Sequence, residues 1–134
     1  MERPKTVREL AKILQVPYHD VLLRCIFCKD FLSELDLNAF DYRQLHVIWR
    51  PDGVHGACQA CVGLVAYQDL LKNTECTLEA DGVEQFERRP LRDIAVRCAG
   101  CLKPLDYIEK LECYTERTPF WRVRDLWRGR CRNC

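Results

Sequence analysis

"PYHDVLLRCIFC", residues Pro17 to Cys28, recurs without a gap 73 residues later as "PLRDIAVRCAGC", Pro90 to Cys101. Both read Pro-x-x-Asp-apolar-x-apolar-Arg-Cys-x-x-Cys. The same offset relates the ends of "RPDGVHGACQAC" (Arg50 to Cys61) and "RVRDLWRGRCRNC" (Arg122 to Cys134), each with a glycine two places before its cysteine pair. The chain therefore carries one four-cysteine unit twice. Its four Cys-x-x-Cys pairs are Cys25/Cys28, Cys58/Cys61, Cys98/Cys101 and Cys131/Cys134. Chance placement of ten cysteines would give about 0.7 such pairs, so the pattern is built rather than compositional. Within each unit 29 residues separate the pairs, and 36 separate the units.

Two cysteines at i and i+3 on a tight turn can aim both thiolates at one ion, and two such knuckles complete a tetrahedral zinc shell. Disulfides are the competing staple for units too small to hold a large core. The opening "MERPKTVREL" offers no apolar segment of signal-peptide length, and no apolar run is long enough to cross a bilayer. Zinc is the expected occupant, one ion per quartet, ahead of an iron–sulfur cluster, which four thiolates also fit. Four thiolates leave no position for water, so each ion is structural and neither unit should fold without it. Cys76 and Cys113 fall outside the pattern and read as packing or surface thiols, and His19, His46 and His55 show no ligand spacing.

The spacing predicts an α+β fold of two homologous zinc-stapled units, each a short antiparallel sheet plus helices, joined by a connecting helix. The expected domains are 1–72, with that helix at its end, a linker at 73–89, and 90–134. Thr6 reads as a helix N-cap with Glu9 completing a capping box, and Val7, Leu10, Ala11 and Leu14 form one apolar stripe. "LAKIL" within it resembles an LxxLL docking motif, but packing on its own domain is the preferred reading. Pro17 ends that segment and opens a second helix that carries Val21 and Leu23 into the first knuckle. Leu45, Val47 and Trp49 alternate as in a strand, and Pro51-Asp52-Gly53 supplies a turn. "VGLVAYQDLLKN" after Cys61 is apolar on more than one side and reads as a connector buried between the units.

Net charge is +1. Residues 74–116 hold ten acids against six bases, whereas 117–134 hold six arginines (Arg117, Arg122, Arg124, Arg128, Arg130, Arg132) against Asp125. That end attracts an anionic partner, either an acidic peptide or a phosphate backbone. Three functions compete. A zinc-ribbon nucleic-acid-binding transcription regulator suits the arginines but not the near-neutral total. A RING-type ubiquitin ligase interleaves its ligands and uses a histidine, which this pattern does not. An adaptor built from two rigid zinc units around a helix suits the repeat and the apolar connector. No paired acid and base, phosphate-cradling loop or open metal site is present, so the chain is read as a non-enzyme.

Two quartets of C-x2-C-x29-C-x2-C joined by 36 residues, together with "RCIFC", "VRCAGC", "DYIEKLE" and "WRGRC", resemble the papillomavirus early oncoprotein "six" family over roughly residues 6–134, leaning toward cutaneous, beta-like members. The resemblance implies a viral early protein of the host nucleus and cytoplasm, acting on host transcription, ubiquitin and apoptosis pathways and not on membranes. It implies a groove between the zinc domains that clasps an acidic LxxLL helix. The host partner is a HECT-type ubiquitin ligase in some members, redirected to a second, recruited target, and a Mastermind-like coactivator of Notch signalling in others. Positions matching the apolar slot are Ile26, Phe27, Leu45, Ile48 and Val62, and the matching basic positions are Arg50 and Arg97. Val65 stands where several members have an aromatic residue, and Leu126 where some place a peptide-binding arginine. Ala39 and Gln44 stand where some carry the acids that engage a tumour suppressor.

Overall fold

A computed structural model describes residues 3–134 of the chain. It divides into two compact units, one ending at Val62 and the other running from Gly63 to Cys134.

Unit one begins with α1 (Val7–Leu14). The Thr6 side chain accepts from the Glu9 N–H, while the Glu9 carboxylate accepts from Lys5 N–H rather than from the cap residue. Val7, Leu10 and Ala11 of the stripe are buried, but Leu14 is exposed with Ile13. Asp41 holds the helix start from outside, accepting from Val7 and Arg8 N–H at 2.9 and 3.0 Å. Pro17 opens only one 3-10 turn (Tyr18–Asp20), and extended chain carries the buried Val21 and Leu23 to β1 (Arg24–Cys25). α2 (Glu34–Tyr42) carries a full capping box between Ser33 and Asp36. β2 (Ile48–Arg50) and β3 (Gly53–Gly56) form an antiparallel hairpin, and β1 pairs with β3 in parallel. Only the end of the alternating stretch is thus in register as strand: Leu45 N–H still bonds to the Phe40 carbonyl at the end of α2.

α3 (Gln59–Asn73) follows, with the unit boundary inside it. Val62 and Ala66 are buried, whereas Leu64, Tyr67 and Leu71 are more than half exposed, so the helix is less covered than its apolar content suggests. The segment read as a linker, 73–89, carries β4 (Thr74–Leu78) and α4 (Ala80–Glu87). β4 joins the second sheet, and Ala80 and Val83 enter the second core beside Leu91, Ile94 and Phe120.

Unit two repeats the plan at the 73-residue offset. α4 corresponds to α1, the 3-10 turn Leu91–Asp93 to Tyr18–Asp20, β5 (Val96–Cys98) to β1, and α5 (Tyr107–Glu116) to α2. β6 (Phe120–Val123) and β7 (Leu126–Gly129) correspond to the β2–β3 hairpin, and β4 adds a fourth strand in the order β4-β6-β7-β5. The β6–β7 turn places Arg124 and Asp125 at φ 51° and 65°, the left-handed pair that a two-residue hairpin with the right twist requires.

The repeated glycine has a steric cause. A Cβ on Gly129 would sit 2.7 and 2.8 Å from two atoms of the fully buried Phe120 ring. A Cβ on Gly56, its repeat mate, would sit 2.7 Å from a Leu23 methyl. Each glycine lets the hairpin press on the core just before the second knuckle. Gly129→Ala is expected to cost about 1–3 kcal/mol through overpacking. Denaturant unfolding of the zinc-loaded protein measures this, and wild-type stability would show that the ring can step aside.

Candidate metal centres

Each knuckle is shaped by backbone before any metal is considered. In unit one, Cys25 N–H donates to the Asp30 carbonyl (2.8 Å) and Lys29 N–H to the Cys25 carbonyl (2.9 Å). In unit two, Cys98 N–H donates to Lys103 and Leu102 N–H to Cys98 at the same two distances. Lys29 and Leu102 adopt left-handed φ of 71° and 64°, which turns the chain back behind each first pair. Ile26 and Ala99 N–H then donate to the carbonyls of Gly56 and Gly129, tying the first knuckle to the strand that leads into the second.

This geometry gathers the cysteines as expected. The sulfurs of Cys25, Cys28, Cys58 and Cys61 all lie within 4.8 Å of one another, as do those of Cys98, Cys101, Cys131 and Cys134. Four sulfurs at about 2.3 Å from a tetrahedral zinc stand about 3.8 Å apart. The Cys28–Cys58 and Cys101–Cys131 separations are 3.9 and 3.8 Å. All ten cysteines are free thiols, so no disulfide competes for these sulfurs.

The surroundings favour thiolate at the first cysteine of each quartet. Burial pushes Cys25 up, but the backbone amides of Cys28, Cys58 and Phe27 outweigh it and bring the thiol down to about 6. Cys98 is brought to about 7 in the same way, burial being outweighed by the amides of Cys131, Cys101 and Gly100. Cys61 is pushed up to about 12, chiefly by its hydrogen bond with Cys58. Four crowded thiols cannot all ionise without a cation among them, which is what a divalent metal supplies. The two quartets suit two structural zinc ions.

A second layer, which the spacing of cysteines alone does not reveal, fixes each second knuckle. The Asp36 carboxylate accepts from Ser33 N–H (3.2 Å) and from Gln59 N–H (3.1 Å), the residue after Cys58. Its repeat mate Glu109 accepts from Asp106 N–H (3.1 Å), from Arg132 N–H (3.0 Å), the residue after Cys131, and from the Lys103 ammonium (3.2 Å). Glu109 is 1% exposed. Burial raises its pKa, but the Arg132 and Asp106 amides and Lys103 hold it below the ordinary carboxylate value. One acid at the third position of a helix thus caps that helix and anchors a zinc knuckle, in both units.

The remaining cysteines and histidines sit away from the quartets. Cys113 is buried and donates to the Arg130 carbonyl (3.5 Å), and Cys76 is exposed on β4. His19 and His46 are exposed, and His55 is buried against Asp52 at 3.1 Å.

With the two zinc geometries in place, comparison with known proteins is decisive. The family described as Early Protein (E6) matches residues 5–134. The chain belongs to the E6 family of papillomavirus early proteins. It is 43% identical to Protein E6 of human papillomavirus 23 over 133 residues, 98% of this chain and 85% of that one. It is 41% identical to Protein E6 of human papillomavirus 17 over 137 residues, covering 100% and 97% of the two chains. Among solved structures, the C-terminal zinc-binding domain of the E6 oncoprotein of HPV51 is 29% identical and covers 44% of this chain and 78% of that one, with a TM-score of 0.42. Family membership rests on the sequence matches.

The E6 positions proposed for peptide contact fall as follows. Ile26 and the half-exposed Phe27 lie in the first knuckle, Leu45 in the loop after α2, Ile48 and Arg50 on β2, and Val62 in the first turn of α3, where it is buried. Arg97 lies on β5 in the second unit and donates to the Leu102 carbonyl at 2.7 Å. Its register partner across the parallel β5–β7 pair is Arg128. Burial lowers the pKa of both, and their mutual repulsion lowers Arg128 further, against the attraction of Asp69.

The arginine-rich end is less bare than its sequence suggests. Arg122 contacts Glu87 (3.2 Å), Asp125 (3.4 Å) and Glu75 (3.7 Å) and lies over the rings of Phe86 and Trp127. Arg124 pairs with Asp69 (2.9 Å) and Arg132 with Glu112 (3.3 Å). Half of the six are matched by acids far away in sequence.

Two zinc ions per chain are expected by elemental analysis. Cys58→Ser should abolish the fold of unit one, visible as lost zinc and lost circular dichroism, and native-like spectra with full zinc would contradict this. Glu109→Gln should weaken zinc retention at the second centre by about tenfold or more while leaving the first unchanged. Competition with a graded chelator reads both, and equal retention at the two sites would remove Glu109 from this role.

Proposed function

We propose that this E6 protein is a non-enzymatic viral adaptor that grips an acidic LxxLL helix of a host protein. The host protein is a HECT-type ubiquitin ligase, redirected to a second target, or a Mastermind-like coactivator of Notch signalling, which is repressed. The single observation that best supports an acidic ligand is the Arg97–Arg128 register pair. Two half-buried guanidiniums lie in register on adjacent strands, with Asp69 offsetting their repulsion at Arg128, and a ligand carboxylate beside Arg97 forks onto a planar donor set.

The backbone around Arg97 is fixed by the zinc knuckle, since Cys98 N–H and the Cys98 carbonyl both take part in it. A pre-ordered arginine loses little entropy on binding. Ile26, Phe27, Leu45, Ile48 and Val62 are proposed as apolar contacts to the leucines, and Arg50 as a second basic contact, in the helix-recognition mode of amphipathic ligands. The ion pairing of Arg122, Arg124 and Arg132 engages half of the arginine cluster and weakens its pull on a phosphate backbone, which favours peptide over nucleic acid.

The repeat supplies an internal control. Arg24, the mate of Arg97, is exposed and lies over the Phe31 ring at 4.7 Å. Arg97→Ala is expected to cost about 2 kcal/mol of affinity for an acidic LxxLL peptide, roughly thirtyfold. Arg24→Ala should cost less than about 1 kcal/mol. Fluorescence polarisation on zinc-loaded protein measures both, and equal losses, or none from Arg97→Ala, would refute the assignment.

A further inference from the structure

α5 is built inside out. Its inward residues are Glu109, Lys110 and Cys113, at 1%, 5% and 4% exposure. Its outward residues are Tyr107, Ile108, Leu111 and Tyr114, at 48%, 60%, 40% and 50%. The repeat mate α2 turns apolar residues inward instead, although its Leu35 (the mate of Ile108) and Tyr42 are also exposed. There Leu37 and Phe40 are buried, where α5 has Lys110 and Cys113, and Glu34, Asn38 and Asp41 stand where α5 has Tyr107, Leu111 and Tyr114. The two helices, of nine and ten residues, share a capping box and a place in the fold, so the exchange is one of side chains.

The inversion is stabilised from within. Lys110 donates its ammonium protons to the carbonyls of Leu91 (3.2 Å) and Ile94 (2.6 Å), and Glu109 anchors the second zinc knuckle. Core packing therefore does not account for the outward face. Tyr107, Leu111 and Tyr114 follow i, i+4 and i+7, with Ile108 three residues before Leu111, an apolar stripe about 10 Å long. An exposed contiguous apolar stripe with a polar rim marks a recognition surface.

The rim names the partner's charge. Asp106, Glu112 and Glu116 are exposed on α5 and its cap, and Glu79 and Asp81 meet Tyr114 in a small cleft at the start of α4. Against these five carboxylates stand Arg117 in the same cleft, Arg132, already paired with Glu112, and Arg130, which lines a second cleft with Glu112 and Glu116, so the rim stays net acidic. We propose that the outward face of α5 docks a lysine- or arginine-flanked amphipathic helix of another protein. Its apolar ridge packs on Tyr107, Ile108, Leu111 and Tyr114, and its basic flanks meet the acidic rim. This surface takes the opposite charge to the ligand proposed for Arg97, so the two surfaces select chemically different partners.

The test uses the zinc-loaded chain of residues 1–134, labelled with nitrogen-15. The probe is a synthetic 18-residue helix with leucines at i, i+3, i+4 and i+7 and lysines on both flanks; a control has glutamates in place of the lysines. The lysine probe should bind at least tenfold tighter than the control at physiological salt, with amide shifts concentrated at 107–116. Leu111→Asp should weaken it at least tenfold with two zincs retained, and Glu112→Lys with Glu116→Lys should reverse the charge preference. A saturating acidic LxxLL peptide should leave it bound. Shifts centred elsewhere, displacement by the acidic peptide, or no effect of Leu111→Asp would overturn the proposal. So would self-association abolished by Leu111→Asp without binding of the lysine probe, which would make the face a contact between copies.

Discussion

The convergence of four thiolates on one point, made twice, is the constraint on which the rest depends. Each unit is too small for hydrophobic burial alone to hold it comfortably, and a structural zinc contributes free energy comparable to the stability of a whole domain. The backbone does the preparatory work. Left-handed Lys29 and Leu102 turn the chain behind the first pair, and the amides at the knuckles lower the pKa of Cys25 and Cys98. Asp36 and Glu109 tie each second knuckle to a helix N-terminus. Metal, helix cap and sheet are thereby coupled, and no one of them is set independently of the others.

A duplicated unit shows what the fold requires and what it leaves open. The knuckle hydrogen bonds, the hairpin glycine and the capping acid recur at the same offset with nearly the same distances. What differs includes the surface: Arg24 stacks on Phe31 whereas Arg97 pairs in register with Arg128, and the outward face of α5 carries more apolar residues than that of α2, where Leu35 and Tyr42 are the exposed ones. Surfaces that differ while the frame stays fixed are where ligand recognition is to be sought. The proposed adaptor role follows that logic, with rigid zinc-held positions carrying the groups that meet partners.

Much of this was legible in the chain itself. The quartets, the Thr6 cap, the Pro51-Asp52-Gly53 turn and the α+β plan follow from local spacing, because metal ligands and turn residues act over a few positions. The segment 73–89 was not, since α4 is short and has no side-chain cap, and β4 finds its partner β6 more than 40 residues later. The 73-residue offset would have revealed α4 as the counterpart of α1 despite their unlike residues. The arginine cluster was overread because Asp69, Glu75, Glu87 and Glu112, which neutralise half of it, are remote in sequence. The inversion of α5 contradicts the rule that a periodic apolar stripe faces the core, and only the burial of Glu109 and Lys110 discloses it.

The claim at the centre of this account is that Arg97, held by the second zinc knuckle, receives a carboxylate of an acidic LxxLL helix. A crystal structure of the zinc-loaded chain with such a peptide tests it directly. The account predicts a peptide carboxylate oxygen about 2.7–2.9 Å from a guanidinium nitrogen of Arg97, with zinc in both quartets. A well-ordered peptide whose acids lie away from Arg97 and Arg128 would contradict it.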